Sequence, residues 1–135
     1  MPTNSPYNDL LLECFGNPRH AGAGGDAYSG MKFSGQASEF PGGARVRISC
    51  AVEEGRLTHL VFQAWGCPHF LAAAELLCRR LDGLDVSSAK NLDLAELAEQ
   101  LAVPVEKTVR ILTLEDAFNN LKRALENPEI SGKSN

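Results

Sequence analysis

Gly66-Cys67-Pro68-His69 is the stretch of this sequence whose residue types and placement could do chemistry. It lies where an alternating segment gives way to a helical one. Leu57, His59, Val61 and Gln63 alternate with Thr58, Leu60, Phe62 and Ala64, the pattern of a strand. From Pro68 onward, Phe70, Leu71, Ala74, Leu77, Cys78 and Leu81 recur at helical spacing. Pro68 suits the first helical position, because it lacks the N–H that this position leaves unused. Cys67 is therefore expected at or just before a helix N-terminus, where unpaired N–H groups and the macrodipole favour a thiolate. A thiolate is the form of cysteine that attacks sulfur compounds and binds metal. The competing use of a free cysteine is as a small buried hydrophobe.

The other three cysteines fit that second use. Cys14 and Cys78 fall on apolar helical faces, and Cys50 shares a strand face with Val46, Ile48 and Val52. The four spacings match no disulfide scaffold and no zinc knuckle, so thiols in a reducing compartment are expected. Histidines add little. His69 follows Cys67 by two positions and makes a Cys-x-His pair, two ligands at most, and histidines at helix starts are commonly solvated. His20 lies in a loop that could fold over the corner, whereas His59 points with Leu57 and Val61 on a strand surface. A closed zinc site needs four ligands, more than the residues near Cys67 supply.

The elements that must position the corner can be read from the pattern. Residues 7–15 form a short helix with Leu10, Leu11, Cys14 and Phe15 inward, Asn8 or Ser5 as cap, and Asn17-Pro18-Arg19 as its stop. Residues 20–30 and 37–43 read as loops and 29–36 as a first strand with Met31 and Phe33 on one face. A hairpin follows, 44–52 and 56–64, turned by Glu53-Glu54-Gly55. The helix from Pro68 should end near Asp82-Gly83, followed by a connector at Ser87-Ser88. Asp93, with Glu96 in a capping box, starts a helix through Leu101 that Val103-Pro104 breaks. A last helix spans about 105–125 with Val109, Leu112, Ala117, Leu121 and Leu125 inward. The order implies an α+β fold: a three-stranded antiparallel sheet with helices packed on one face.

Composition bounds the function. The chain has 135 residues, enough for one domain over 1–135 with a core that needs no staples, its ends (1–6 and 127–135) expected to be flexible. A net charge of −4 argues against general binding to nucleic acid or to anionic membranes. No apolar run approaches the ~20 residues that span a bilayer, and MPTNSPYND lacks the features of a signal peptide, so a cytoplasmic location is expected.

In this arrangement the chain resembles the iron–sulfur cluster assembly scaffold family of IscU, SufU and the NifU N-terminal domain, over roughly residues 7–125. Asn17-Pro18-Arg19-His20-Ala21-Gly22 is similar to the family's Asn-Pro-Arg-x-x-Gly. Phe62-Gln63-Ala64-Trp65-Gly66-Cys67 is similar to its strand ending in aromatic-Gly-Cys. Phe70 to Gly83 takes the place of its central helix, and Leu114-Glu115-Asp116-Ala117 matches its final Glu-Asp-Ala element. The resemblance implies the family's α+β fold, a non-enzymatic role in cluster assembly, and a cysteine desulfurase and other assembly proteins as partners. It further implies an iron–sulfur cluster or zinc held by three cysteines, with a homo-oligomer as one arrangement.

This chain departs from the family in the ligands. Gly42-Gly43-Ala44 stands where Cys-Gly-Asp is expected, and Val109-Arg110 where a His-Cys pair is expected, so Cys67 is the one family cysteine retained. Val103-Pro104-Val105-Glu106-Lys107 stands at the family's chaperone-recognition Leu-Pro-Pro-Val-Lys and keeps one proline and the lysine. Family geometry directs Arg110, a permanent cation, toward Cys67 as a supporting residue. The metal site is then the incomplete pair Cys67 and His69. Three functions follow: a scaffold with an incomplete site, a sulfur carrier whose Cys67 accepts a persulfide from a desulfurase, or a regulatory binding module without chemistry.

Overall fold

The computed structural model describes residues 8–22, 32–39 and 43–126. Helix α1 (Asp9–Gly16) precedes strands β1 (Lys32–Ser38), β2 (Arg45–Glu53) and β3 (Arg56–Trp65). Helices α2 (Pro68–Leu81), α3 (Val86–Ala89) and α4 (Leu94–Gln100) follow. A 3-10 turn (Val105–Lys107) then leads into α5 (Thr108–Glu126). The strands form one antiparallel sheet in the order β1-β2-β3. The α+β architecture expected from the sequence is therefore present. Among the described residues no helix is long and apolar enough to cross a membrane.

Local chemistry explains the element ends. Asn8 caps α1 by accepting from Leu11 N at 2.8 Å, and Asp85 and Asp93 cap α3 and α4 through Ser88 N and Ala95 N. The connector expected at Ser87-Ser88 is thus a short helix, because Asp85 supplies its missing acceptor. Helix α4 stops before Val103-Pro104, not at it. Ala102 adopts φ 54°, and bonds from Ala102 N to Glu99 O and from Val103 N to Ala98 O close a Schellman turn. The first strand runs two residues later than expected, to Ser38. Residues 29–31 of the expected strand, Met31 included, lie outside the described residues, as do Gly42 and the end segments 1–6 and 127–135.

Three faces differ from expectation: in α1, Phe15 is exposed while Leu11 and Cys14 are buried, and β3 and α5 differ as follows. Along β3 the alternation does not hold: Leu57 is buried with Leu60 and Phe62, whereas His59 is exposed. Ser49 pairs with Val61 and Ala51 with Thr58, so His59 and Leu60 together oppose Cys50 in a β-bulge, with His59 at φ 53°. The extra residue resets the phase and returns Leu60 to the core. In α5, Ala117 and Leu121 are buried as expected, but Val109 and Leu112 are about half exposed, and Thr113, Leu114 and Phe118 complete the inward stripe. The inward stripe starts one turn later than expected, after the segment that borders the thiol corner.

Helix α2 is the centre of the core. It packs against α1, β3, α4 and α5, and Phe70, Ala72, Ala74, Leu77, Cys78 and Leu81 are wholly buried. Each such large apolar side chain contributes roughly 1.5–3 kcal/mol by leaving water. Helix α5 lies directly on β1: a Cβ at Gly35 would fall 2.3 Å from Ala117 O and Leu121 N. That seam fixes the height at which α5 crosses the sheet, and hence where Arg110 at its start projects.

Candidate functional site

Cys67 is the N-cap residue of α2 (φ −76°, ψ 166°), with Pro68 in the first turn and no hydrogen bond from its side chain to the helix. The thiol is partly exposed, whereas Cys14, Cys50 and Cys78 are buried. Burial pushes the Cys50 thiol up to about 12 and raises Cys14 and Cys78 as well, so these three stay protonated near neutrality. The sequence division between three packing cysteines and one accessible cysteine matches this geometry.

The loop before β2 packs beside Gly66, and α5 reaches that loop in turn. A Cβ on Gly66 would lie 2.9 Å from the Phe70 ring, too close for a side chain as the corner stands, and 3.3 Å from Ala44 Cβ just before β2, a tight approach. The β1–β2 loop is closed on itself by Glu39 N to Ala44 O at 2.8 Å and Gly43 N to Glu39 O at 3.0 Å. From α5, Arg110 donates to Glu39 Oε1, which also accepts from Ala44 N at 3.3 Å. Both charged side chains are largely covered, 27% and 21% exposed. The expected supporting residue Arg110 thus has a carboxylate partner of its own, and Glu39 carried no signal in the sequence beyond its charge.

His69 and His20 are placed differently from expectation, whereas His59 lies on a strand surface as expected. His69, in the first turn of α2, is buried at 5% exposure, not solvated. Burial, with Lys107 second, holds its imidazole below the usual range, so the neutral ring prevails near neutrality. His20 does not hang in a mobile loop. Its backbone N–H and Nδ1 both meet Glu75 of α2, at 2.9 and 3.0 Å. Its own segment pairs with Phe62 on the edge of β3. His59 faces solvent near Glu53 at 3.6 Å.

Glu75 is the buried polar centre that the sequence did not announce. It is fully buried and also accepts from Arg79 Nε at 2.7 Å, while Arg79 reaches Asn17 O at 2.9 Å. Burial alone would raise its carboxyl, but the bonds from His20 and Arg79 outweigh that and hold it below the ordinary range. The Asn17-Pro18-Arg19-His20 segment is therefore pinned to α2 by one ionised carboxylate.

A model of the NifU-like N terminal domain matches residues 6–127. The chain belongs to the NifU-like N-terminal domain family. Within that setting it is 27% identical over 113 residues to the iron–sulfur cluster assembly scaffold protein IscU of Azotobacter vinelandii, covering 83% of this chain and 88% of that protein. It is 22% identical to the mitochondrial iron sulfur cluster assembly protein 1 of Debaryomyces hansenii, covering 96% and 76%. The fold is shared with the N-terminal part of a nitrogen-fixing NifU-like protein from Brucella abortus (TM-score 0.60, 17% identity, 91% and 94% covered). A putative SUF-system scaffold from Fervidobacterium islandicum is also similar (TM-score 0.56, 12% identity, 91% and 84% covered).

A family ligand set can be tested against these side chains. Among the described residues no group of three His, Cys, Asp or Glu could hold a metal ion. Ala44 offers a methyl group, and Arg110, which cannot coordinate metal, is bound to Glu39. The described corner does not fit a resident cluster or closed zinc site within one chain.

Proposed function

We propose that this protein works in iron–sulfur cluster assembly as a scaffold-family member whose working group is the single thiol of Cys67, acting as a persulfide carrier. Supporting this reading above all is one observation: Cys67 is the accessible cysteine among the described residues, set at a helix N-cap in a chain of this family. The step needs no metal. The Cys67 thiolate attacks the terminal sulfur of a persulfide on a cysteine desulfurase. The donor's S–S bond breaks, its cysteine leaves as thiolate, and a persulfide forms on Cys67 with no net oxidation. In this reading the protein is cytoplasmic and non-enzymatic, and its partners are the desulfurase and the acceptor that takes the sulfur onward.

The test is incubation of the protein with a cysteine desulfurase and cysteine, followed by mass analysis of cysteine-blocked peptides. One added sulfur on the Cys67 peptide, absent in Cys67→Ser, is expected. A desulfurase that becomes persulfidated itself but passes nothing to Cys67 would overturn the reading.

A further inference from the structure

The clasp between Glu39 and Arg110 ties the β1–β2 loop, whose Ala44 packs beside Gly66, to the start of α5. Arg110 donates to Glu39, and Glu39 folds back over its own loop, where a Cβ at Gly43 would fall 2.7 Å from Oε1. The same loop carries Ala44, which packs beside Gly66, the residue before Cys67. A cationic and an anionic side chain therefore sit together, both mostly covered, at a loop that reaches the thiol corner through Ala44 and Gly66.

We propose that Glu39 is a positioning and charge-setting residue of this site. It holds Arg110 in place and cancels its charge, so that Cys67 meets incoming disulfides or persulfides at a corner with no net charge from the clasp. Glu106 and Lys107, the other charges that act on the neighbouring His69, oppose one another in sign. Removing the carboxylate uncovers the guanidinium and favours anionic sulfur donors. Removing the guanidinium uncovers the carboxylate and disfavours them. At separations within a Debye length of about 8 Å, such a change remains visible at physiological salt.

This inference rests on Cys67 being the working thiol, but its test uses small disulfides and needs no desulfurase. Its failure is thus distinguishable from a failure of persulfide transfer. Cys67 would be reacted with dianionic dithiobis(nitrobenzoate) and with neutral dithiodipyridine at fixed pH. In each case the thiolate forms a mixed disulfide and an aromatic thiolate leaves. The readout is the ratio of the two rates. Relative to the unsubstituted protein, the ratio should rise about threefold or more in Glu39→Gln and fall about threefold or more in Arg110→Gln. The double variant should return close to the original value. A purely structural clasp would move both reagents together and leave the ratio unchanged in every variant. An unchanged ratio, or a shift in the same direction for both single variants, would overturn the proposal. Far-UV circular dichroism confirms that each compared variant is folded.

Discussion

Glu75 and Glu39 each fasten a loop to a helix, yet they work at different depths. Glu75 is fully buried and takes bonds from a backbone N–H, an imidazole and a guanidinium. Glu39 is about one-fifth exposed and holds one guanidinium and one backbone N–H. A carboxylate in the interior is tolerable only when every lone pair is used, and losing a partner there leaves an uncompensated charge. Near the surface, water takes over part of that work. The first clamp therefore holds the fold together, and the second sets the surroundings of a reactive group.

Breaking the deep clamp should give the largest effect. Glu75→Ala is expected to cost about 3 kcal/mol, read as a lower denaturant midpoint, because Arg79 and His20 lose the anion they share. The same residue gives a pH signature. Its folded carboxyl lies below the ordinary value of 4.5, so its contribution is complete above that pH and is lost as pH falls through the folded value. The acid limb of a pH–stability profile should be shallower in Glu75→Gln than in the unsubstituted protein. Equal slopes would place the acid sensitivity elsewhere.

The shallow clasp should matter less to stability. Glu39→Gln is expected to cost about 1 kcal/mol or less, since both side chains keep access to water. A loss comparable with that of Glu75→Ala would erase the distinction between the two clamps. The smallest effect belongs to a site outside both. Ala102 occupies a left-handed position at the end of α4, and Ala102→Gly should stabilise the chain by up to about 1 kcal/mol in thermal unfolding.

The contrast also separates what the sequence revealed from what it concealed. The strand-to-helix corner at Cys67, the central helix and the three packing cysteines could be read because periodicity and a Gly-Cys-Pro junction report local structure directly. The bulge at His59 could not, since one extra residue changes which face a whole strand presents without altering its composition. The late inward stripe of α5 was hidden for a related reason: Val109 and Leu112 are apolar, and only tertiary packing tells an exposed apolar turn from a buried one. Glu75 and Glu39 were silent because a carboxylate's importance depends on partners 55 and 71 positions away. One hint was present in each case. Glu75 interrupts the apolar face of α2, and Arg110 stands where the resemblance implies a cysteine.

In the proposed function one thiol, Cys67, does the work, and it does so without bound metal. Site-resolved alkylation of the folded protein, with and without a chelator, tests it most directly. Cys67 should be labelled well before Cys14, Cys50 and Cys78, whose burial both raises their thiols and blocks the reagent, and the chelator should leave its rate unchanged. Labelling of all four cysteines at similar rates, or a Cys67 that reacts only after chelation, would contradict the account.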